Sequence, residues 1–215
     1  MGKFRFTIIL LVLFAFTLNL NAQEDDYEAG QWHFGPHFGL VIGSSIGDIK
    51  QDFSLGYDIG AYAGYSFTDL IGVNLSALYG HEDFVSSKMD YLKIPALFLL
   101  QFNAKHLGLG FQYNHALTKQ DGLEYLSYNN NYLSGIIEFG YIYMFSVDAG
   151  ISGIRSLIRV GYAITPRSYT LGESVLWGVT TPKEKFDYNP YYIEFAVQYN
   201  IGQYFNDKKY TRTRK

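Results

Sequence analysis

The fold is decided by the stretch Tyr91-Leu92-Lys93-Ile94-Pro95-Ala96-Leu97-Phe98-Leu99-Leu100-Gln101-Phe102. In an extended chain successive side chains point to opposite faces, so one face here is an unbroken apolar row of Leu92, Ile94, Ala96, Phe98, Leu100 and Phe102. The opposite row carries the cation of Lys93 and the polar ends of Tyr91 and Gln101. A helix would be apolar all the way round and would hold Pro95 in its interior, where proline removes a hydrogen bond. The stretch therefore predicts a β-strand with one purely apolar face.

The composition suits a β protein that has both wet and apolar surfaces. Aromatic residues make up 18% of the 215 residues, Gly reaches 22, and only 17% of the residues are charged. Aromatic residues favour strands, and the scarcity of charge argues against a helical bundle. A chain of this length is most simply one domain. Because there is no Cys, a disulfide framework and a thiolate metal site are both excluded.

The first 22 residues have the pattern of an export signal. Two basic residues among the first six precede an apolar run over residues 7–18, and Asn21-Ala22 offers a cleavage site before Gln23. A retained anchor helix is the alternative, but the run is shorter than the roughly 20 residues that a spanning helix needs. We therefore expect residues 1–22 to be a signal peptide.

Alternation with a period of two continues through the mature chain. No run of 18 apolar residues remains after Gln23, which excludes a helical membrane protein. The apolar rows of eight predicted strands cover residues 32–42, 55–67, 71–79, 92–102, 107–113, 133–145, 158–164 and 193–201. An even number of strands of this length is typical of a closed membrane barrel. The sequence thus predicts an all-β fold, an eight-stranded antiparallel up-and-down transmembrane β-barrel over residues 32–205, in the outer membrane.

The connections between these strands alternate between short and long. The short connections are expected at residues 68–69, 103–105 and 146–153, and the long ones at residues 44–52, 81–90, 118–131 and 166–187. Outer-membrane barrels have short periplasmic turns and longer outer loops. Both termini are therefore expected on the periplasmic side.

A soluble lipocalin-like barrel is the alternative fold, and it would turn the apolar rows inward around a ligand. The second row of each strand would then face water, but much of it is Gly, Ala and Tyr. Small residues suit the crowded lumen of an eight-stranded barrel instead. We therefore expect the apolar rows to face lipid, with outward tyrosines near the strand ends as an aromatic girdle.

Five charged residues fall on the polar rows and are expected to form a lumenal network: Asp58, Lys93, Glu138, Arg159 and Glu194. The last three lie on neighbouring strands, so Arg159 is predicted between the two glutamates, in a lumen too narrow for an open pore. Two roles stay open for this network. It fills and satisfies the interior, as paired buried charges usually do, or it takes part in transport or catalysis.

No metal, cofactor or catalytic site is predicted. His33 and His37 share a face, but four residues of strand separate them by about 13 Å, too far to bind one metal ion. His115 and Ser134, on adjoining strands, could be assigned to a lipid-modifying hydrolase, but Ser and His are so abundant that such a pairing is easily found. The sequence contains no phosphate-binding glycine loop, zinc signature or triad motif. We therefore expect a protein that is not an enzyme.

Two charged segments flank the barrel. Residues 23–31 begin with an acidic run and are expected to form a disordered lead. Residues 206–215 are expected to form a basic periplasmic tail, in contact with anionic groups or simply solvated, and no nucleic-acid partner is predicted. Outer loops 118–131 and 166–187 are the candidate surfaces for envelope protein partners, although mobile outer loops need no partner.

Tyr91-Leu92-Lys93-Ile94-Pro95 and its apolar run resemble the Tyr-Leu-x-Ile-Pro strand of the PorT-like outer-membrane β-barrel proteins of the Bacteroidetes. Gly56-Tyr57 with Gly60 and Gly64, and the end of the export signal, are similar too. This resemblance covers nearly all of the mature chain. It implies an outer-membrane barrel, and the namesake of the family is linked to a protein secretion system.

Three functions follow as expectations. The first is a structural or interaction protein of the outer membrane, an accessory of protein secretion or surface assembly. The alternative is a small-solute, porin-like channel, which requires a continuous wet path through the lumen. The third is a lipid-modifying outer-membrane enzyme.

Overall fold

The computed structural model describes residues 29–48, 51–84, 87–102, 104–117, 126–129, 131–147, 150–171, 174–176, 179–181 and 184–201. The predicted signal peptide 1–22, the acidic run at the start of the lead and the basic tail 206–215 lie outside those residues. No helix within the described ranges is long and apolar enough to cross a membrane.

The regular structure of the described chain is β-strand throughout. In chain order the strands are β1 (Gln31–Gly47), β2 (Gln51–Ser66), β3 (Ile71–Phe84), β4 (Ser87–Phe102), β5 (Lys105–Ala116), β6 (Leu126–Asn129), β7 (Tyr132–Val147), β8 (Gly150–Ala163), β9 (Arg167–Leu171), β10 (Ser174–Leu176), β11 (Val179–Thr181) and β12 (Glu184–Asn200).

Eight long strands close into a barrel. The strands β1, β2, β3, β4, β5, β7, β8 and β12 pair in that order, each antiparallel to the next, and β12 pairs back with β1 over His37–Gly47. Closure gives every spanning strand two hydrogen-bonded neighbours, which hydrocarbon requires because it cannot satisfy a free backbone group. The predicted eight-stranded antiparallel up-and-down barrel is confirmed.

The barrel wall is apolar outside and polar inside. Along β1, Trp32, Phe34 and Phe38 are 44–55% exposed, whereas His33 and His37 between them are at most 2% exposed. The other spanning strands repeat this alternation in their described positions. The lipocalin-like alternative is therefore wrong, because the apolar rows look outward.

The apolar exterior has the height of a membrane span. The residues from Trp32 to Ile42, at about 3.3 Å per residue and a tilt of about 40°, cover about 25 Å along the barrel axis. Aromatic rings mark both ends of this band. Trp32 and Tyr65 pack with ring centroids 4.9 Å apart at the periplasmic end, and Tyr57 and Tyr79 lie 6.4 Å apart at the outer end.

The first periplasmic turn has the polar chemistry that the sequence predicts. Thr68 Oγ1 accepts a hydrogen bond of 3.0 Å from the backbone N–H of Ile71, which closes the turn between β2 and β3. The carboxylate of Asp69 accepts a 2.9 Å hydrogen bond from the N–H of Ala29, just before β1. This turn therefore also fixes the start of the first strand.

The strands extend further than predicted at both ends of the barrel. Outer segments 44–52 and 81–90 and the periplasmic segment 146–153 were expected to be connections, but only residues 48–50, 85–86 and 148–149 separate the paired strands there. The apolar rows end where the hydrocarbon ends, whereas backbone pairing continues into water. A prediction that follows hydrophobic alternation stops too early for this reason.

The two longest outer segments also contain strands. β9 lies in segment 166–187 and pairs with the first part of β12, while β6 lies in segment 118–131 and pairs with β9. We call these three neighbours, β12–β9–β6, the outer sheet. It extends the barrel wall on one side above the membrane span.

A charge on the lipid face should be costly. Phe38 points outward near the middle of the span, so Phe38→Arg is expected to lower the free energy of unfolding by about 2–4 kcal/mol. Phe53→Arg, at the outer end of β2, is the matched control and should lower it by about 1 kcal/mol or less. Urea unfolding in lipid vesicles measures both values. Equal effects of the two substitutions would contradict the assignment of the lipid-facing surface.

Candidate functional site: the barrel lumen

The lumen is built from the inward rows of the eight spanning strands. Its centre is Arg159 on β8, whose register partners are Glu138 on β7 and Glu194 on β12. Arg159 Nη2 lies 2.6 Å from Glu138 Oε2, and Arg159 Nη1 lies 2.8 Å from Glu194 Oε2. All three side chains are fully buried. Strand adjacency alone brings these charges together, since the three residues stand side by side across three neighbouring strands.

Two histidines bind the remaining carboxylate oxygens of these glutamates. His37 Nε2 lies 2.7 Å from Glu194 Oε1, and His106 Nε2 lies 2.9 Å from Glu138 Oε1. Each glutamate therefore binds Arg159 through one oxygen and a histidine through the other. Such charge-assisted hydrogen bonds, formed away from water, are stronger than neutral ones.

A second group of charges is centred on Lys93 of β4. Its Nζ lies 2.8 Å from Asp58 Oδ1 and 2.6 Å from Glu82 Oε1. The ammonium group is also 5.6 Å from the ring centroid of Tyr192. Lys93 is completely buried, so two carboxylates and an aromatic face take the place of its hydration shell.

Inward glycines make room for these groups. A Cβ at Gly80 would lie 2.6 Å from Asp58 Oδ1 and would also meet the Lys93 side chain. A Cβ at Gly39 would meet the Glu194 carboxylate in the same way. The glycines of the polar rows thus allow long charged side chains to fit inside a barrel of only eight strands.

An apolar cluster narrows the lumen. It consists of five buried inward residues, which we call the apolar collar: Val41, Leu97, Leu99, Ile136 and Tyr192. Through Tyr192 the collar contacts Lys93, and a Cβ at Gly161 would meet the Tyr192 ring. Polar groups and the collar together fill the middle of the barrel.

The periplasmic part of the lumen is more polar. Arg155 Nη1 donates a 3.3 Å hydrogen bond to Gln198 Oε1, and its guanidinium lies 5.5 Å from the Tyr62 ring centroid. The side-chain polar atoms of Asn74 and Asn200 are buried without a hydrogen-bond partner among the described residues. Buried polar groups of this kind are usually satisfied by water. This end of the lumen is therefore suited to solvent.

Arg167, the first residue of β9, lies at the outer end of the lumen. Its guanidinium lies 5.3, 5.4 and 5.3 Å from the ring centroids of Tyr91, Tyr132 and Tyr188, respectively. Nη2 also donates to Met89 Sδ at 2.9 Å. We call Met89 and the three tyrosines the tyrosine cage. The side chain of Arg167 is 1% exposed, although it belongs to a segment predicted as an outer loop.

The structure places all five predicted lumenal charges inside the barrel, in two groups. Lys93 lies with Asp58, and Arg159 lies between Glu138 and Glu194. Sequence reasoning missed five further lumenal residues: His37, Glu82, His106, Arg155 and Arg167. The inward parity of His37 was visible in the sequence, whereas the other four lay outside the apolar alternation from which the strands were predicted.

His115 and Ser134, the pair considered for a lipid-modifying hydrolase, do not meet. His115 is exposed on the outside of the wall, where its ring stacks on Tyr113 at 6.4 Å, and Ser134 is fully buried in the lumen. The lumenal residue opposite Ser134 is Gln112. Neighbouring strands bring residues together only when both lie on the same face, and these two do not.

The two inward histidines of β1 have separate partners. His33 Nε2 lies 3.0 Å from Ser66 Oγ, while His37 binds Glu194. Across the described ranges, no three His, Asp or Glu side chains are grouped as a metal ion would need.

Two solved outer membrane proteins are similar to this chain. No protein-family model matches the sequence, and a search of curated protein sequences gives no match. The outer membrane protein AlkL, solved by solid-state NMR in DMPC lipid bilayers, is 17% identical with a TM-score of 0.51 over 87% of this chain and 98% of that chain. The outer membrane protein OprG from Pseudomonas aeruginosa is 16% identical with a TM-score of 0.47 over 82% of this chain and 98% of that chain.

The AlkL likeness shows the fold, and the apolar exterior agrees with the bilayer in which that protein was solved. The chain is an outer-membrane β-barrel. Its exposed apolar rows are suited to contact with lipid, and the barrel wall separates them from the polar lumen.

Removing the central cation should destabilise this outer-membrane β-barrel. Arg159→Met leaves Glu138 and Glu194 buried without their shared partner, so we expect a loss of about 3–5 kcal/mol in the free energy of unfolding. Adding Glu138→Gln and Glu194→Gln to the same protein removes the uncompensated charges and should recover much of that loss. Urea unfolding in lipid vesicles measures the series. An unchanged midpoint for Arg159→Met would show that the three side chains do not act as a stabilising unit.

Proposed function

We propose that the barrel is a narrow, gated passage for small polar solutes across the outer membrane, and that this structure is its closed form. The observation that carries this proposal is the presence of buried polar and charged side chains at both ends and in the middle of the lumen. Glu82, Lys93 and Asp58 lie toward the outer end, Arg159 and its glutamates lie in the middle, and Gln198 and Asn200 lie toward the periplasm. A barrel that only filled its interior could have done so with apolar residues, which avoid the cost of removing charges from water.

Two obstacles account for the closed form. The apolar collar interrupts the polar lining, and Arg167 lies in the tyrosine cage at the outer end of the lumen. The solvent-suited periplasmic end lies below both. A solute would need the collar side chains to change rotamer and Arg167 to leave the cage, while the surrounding wall keeps its backbone pairing. Movements of side chains and loop segments of this kind are compatible with a rigid barrel.

The collar provides a matched pair of substitutions. Tyr191 and Tyr192 are consecutive residues of β12, and the first faces outward while the second belongs to the collar. We expect Tyr192→Ala to increase single-channel conductance in planar bilayers several-fold over the wild type, because it removes the ring that narrows the lumen. Tyr191→Ala should leave the conductance unchanged.

Absence of conductance in both the wild type and the Tyr192→Ala protein would overturn the proposed passage. Equal conductance of the two tyrosine variants would assign the current to leakage around the barrel instead of through it. Urea unfolding of each variant in vesicles serves as the control for correct folding.

A second proposal rests on the outer sheet. β6 pairs with β9 on one side and, within the described ranges, with no strand on the other. An open edge of this kind can accept a strand from another protein. Together with the resemblance of Tyr91–Pro95 to the PorT-like proteins, this edge supports an interaction role through segments 118–131 and 166–187, in protein secretion or surface assembly.

This second function is tested by crosslinking the intact protein in its own envelope. Successive backbone N–H groups of a strand point to opposite edges, so either Ser127→Pro or Tyr128→Pro removes an N–H from the open edge of β6. A partner added by strand pairing should be lost from the crosslinked products of that variant. Retention of the same products in both variants would contradict strand addition at β6.

We also propose that the barrel has no catalytic activity. The separation of His115 and Ser134 to opposite faces of the wall supports this proposal, because acyl-transfer chemistry needs nucleophile and base within hydrogen-bond reach. Mass spectrometry of lipid A from cells that overexpress the protein should show no change. A modification that disappears in the His115→Ala variant would overturn it.

A further inference from the structure

Arg167 is held differently from the other lumenal cations near it. Arg159 and Lys93 each form salt bridges with two carboxylates. The guanidinium of Arg167 is surrounded by three tyrosine rings at 5.3–5.4 Å and donates to the thioether of Met89. The electron-rich faces of the three rings make a pocket for a planar cation.

The walls of this pocket belong to the barrel and not to the segment that carries Arg167. Met89 and Tyr91 lie on β4, Tyr132 lies on β7, and Tyr188 lies on β12. Tyr91 and Tyr132 also brace each other edge to face, with their ring centroids 6.0 Å apart. Every wall strand is paired in the barrel sheet, so the cage is expected to keep its shape when β9 moves. The cage is therefore a preformed site, and Arg167 is its occupant.

The chain leading to Arg167 suggests how the occupant could leave. Thr165 and Pro166 immediately before it are exposed, and β9 is attached to the barrel through β12. Aromatic rings and a thioether recognise a cation by its charge and planar shape, so a similar planar cation can take its place. An incoming group with the same planar shape and charge would replace the interactions that Arg167 gives up.

We propose that the tyrosine cage is a binding site for solutes that carry a monosubstituted guanidinium group, and that Arg167 is an internal ligand which occupies it. The proposal deepens the proposed function, since it names the class of solute that the outer mouth would select, and for that use it rests on the proposed passage. The binding itself does not depend on conduction. Planarity matters, because a flat cation can lie between rings that a tetrahedral ammonium group fits less closely.

The test empties the cage and supplies the missing group in solution. Arg167→Ala removes the occupant, and ethylguanidinium is the probe. At a concentration about 100-fold above its Kd, the probe should raise the unfolding temperature of the Arg167→Ala protein by about 5–10 °C. N-ethylurea, which has nearly the same shape without the charge, should give no shift. Thermal unfolding of the protein in lipid vesicles measures both.

Arg167→Met is the matched control variant. Its thioether side chain can fill the cage without a charge, so ethylguanidinium should not raise the unfolding temperature of this protein. The same comparison corrects for any general denaturing action of the probe. A second cage variant, Tyr132→Leu in the Arg167→Ala background, should lose the shift because one aromatic wall is missing.

Three outcomes would overturn the proposal. They are no shift with ethylguanidinium in folded Arg167→Ala protein, an equal shift with N-ethylurea, and an equal shift in the Arg167→Met protein. If Arg167→Ala fails to fold alone, refolding in the presence of ethylguanidinium is measured instead. Recovery of folded protein then supports the site, and no recovery overturns it.

The binding test and the conductance test fail independently. A protein that binds ethylguanidinium but conducts in neither the wild-type nor the Tyr192→Ala form has the site without the passage. A protein that conducts through the lumen without a shift in the Arg167→Ala variant has the passage without the site.

Discussion

The structure depends on one constraint, which is that hydrocarbon offers no partner to a backbone N–H or C=O group. A sheet that crosses the membrane must therefore pair its last strand with its first. Here β12 meets β1 along His37–Gly47, and this pairing removes both edges at once. Because each strand has two faces, closure also decides where the side chains lie. One row of each strand faces lipid, and the other row faces the lumen, where water has little access.

Enclosing the polar rows creates the chemistry of the lumen. In a barrel of eight strands the interior is narrow, so charged side chains must find partners on neighbouring strands. Arg159 does so through Glu138 and Glu194, whose remaining oxygens bind His106 and His37. Lys93 does so through Asp58 and Glu82. Arg167 differs because it enters from the outer sheet and is held by aromatic rings. The two salt-bridged cations therefore lie on spanning strands, and the cation held by rings lies at the outer end of the lumen.

Much of this arrangement could be predicted from the alternation of apolar and polar residues along the chain. The period of two gives the eight spanning strands, the lipid-facing side and the adjacency of β7, β8 and β12, which places Arg159 between its glutamates. The same method ended the strands too early at their outer ends. Glu82 was assigned to a loop for that reason, although it is a partner of Lys93. Hydrophobic alternation marks only the strand residues that contact hydrocarbon. Strand residues that pair in water do not show this alternation, so their strands cannot be predicted from it.

The sequence by itself determined that this chain closes into a barrel with apolar rows outside and charged rows inside, because side-chain parity in a strand depends only on residue number. The tertiary structure alone decided which residues share a level of the lumen. It brought Arg167 from a distant segment into the cage of Tyr91, Tyr132 and Tyr188. The separation of His115 from Ser134, by contrast, already follows from parity, because the two residues fall on opposite rows. Contacts between distant residues, such as those of Arg167, depend on strand register and on the path of the outer segments, and local periodicity encodes neither.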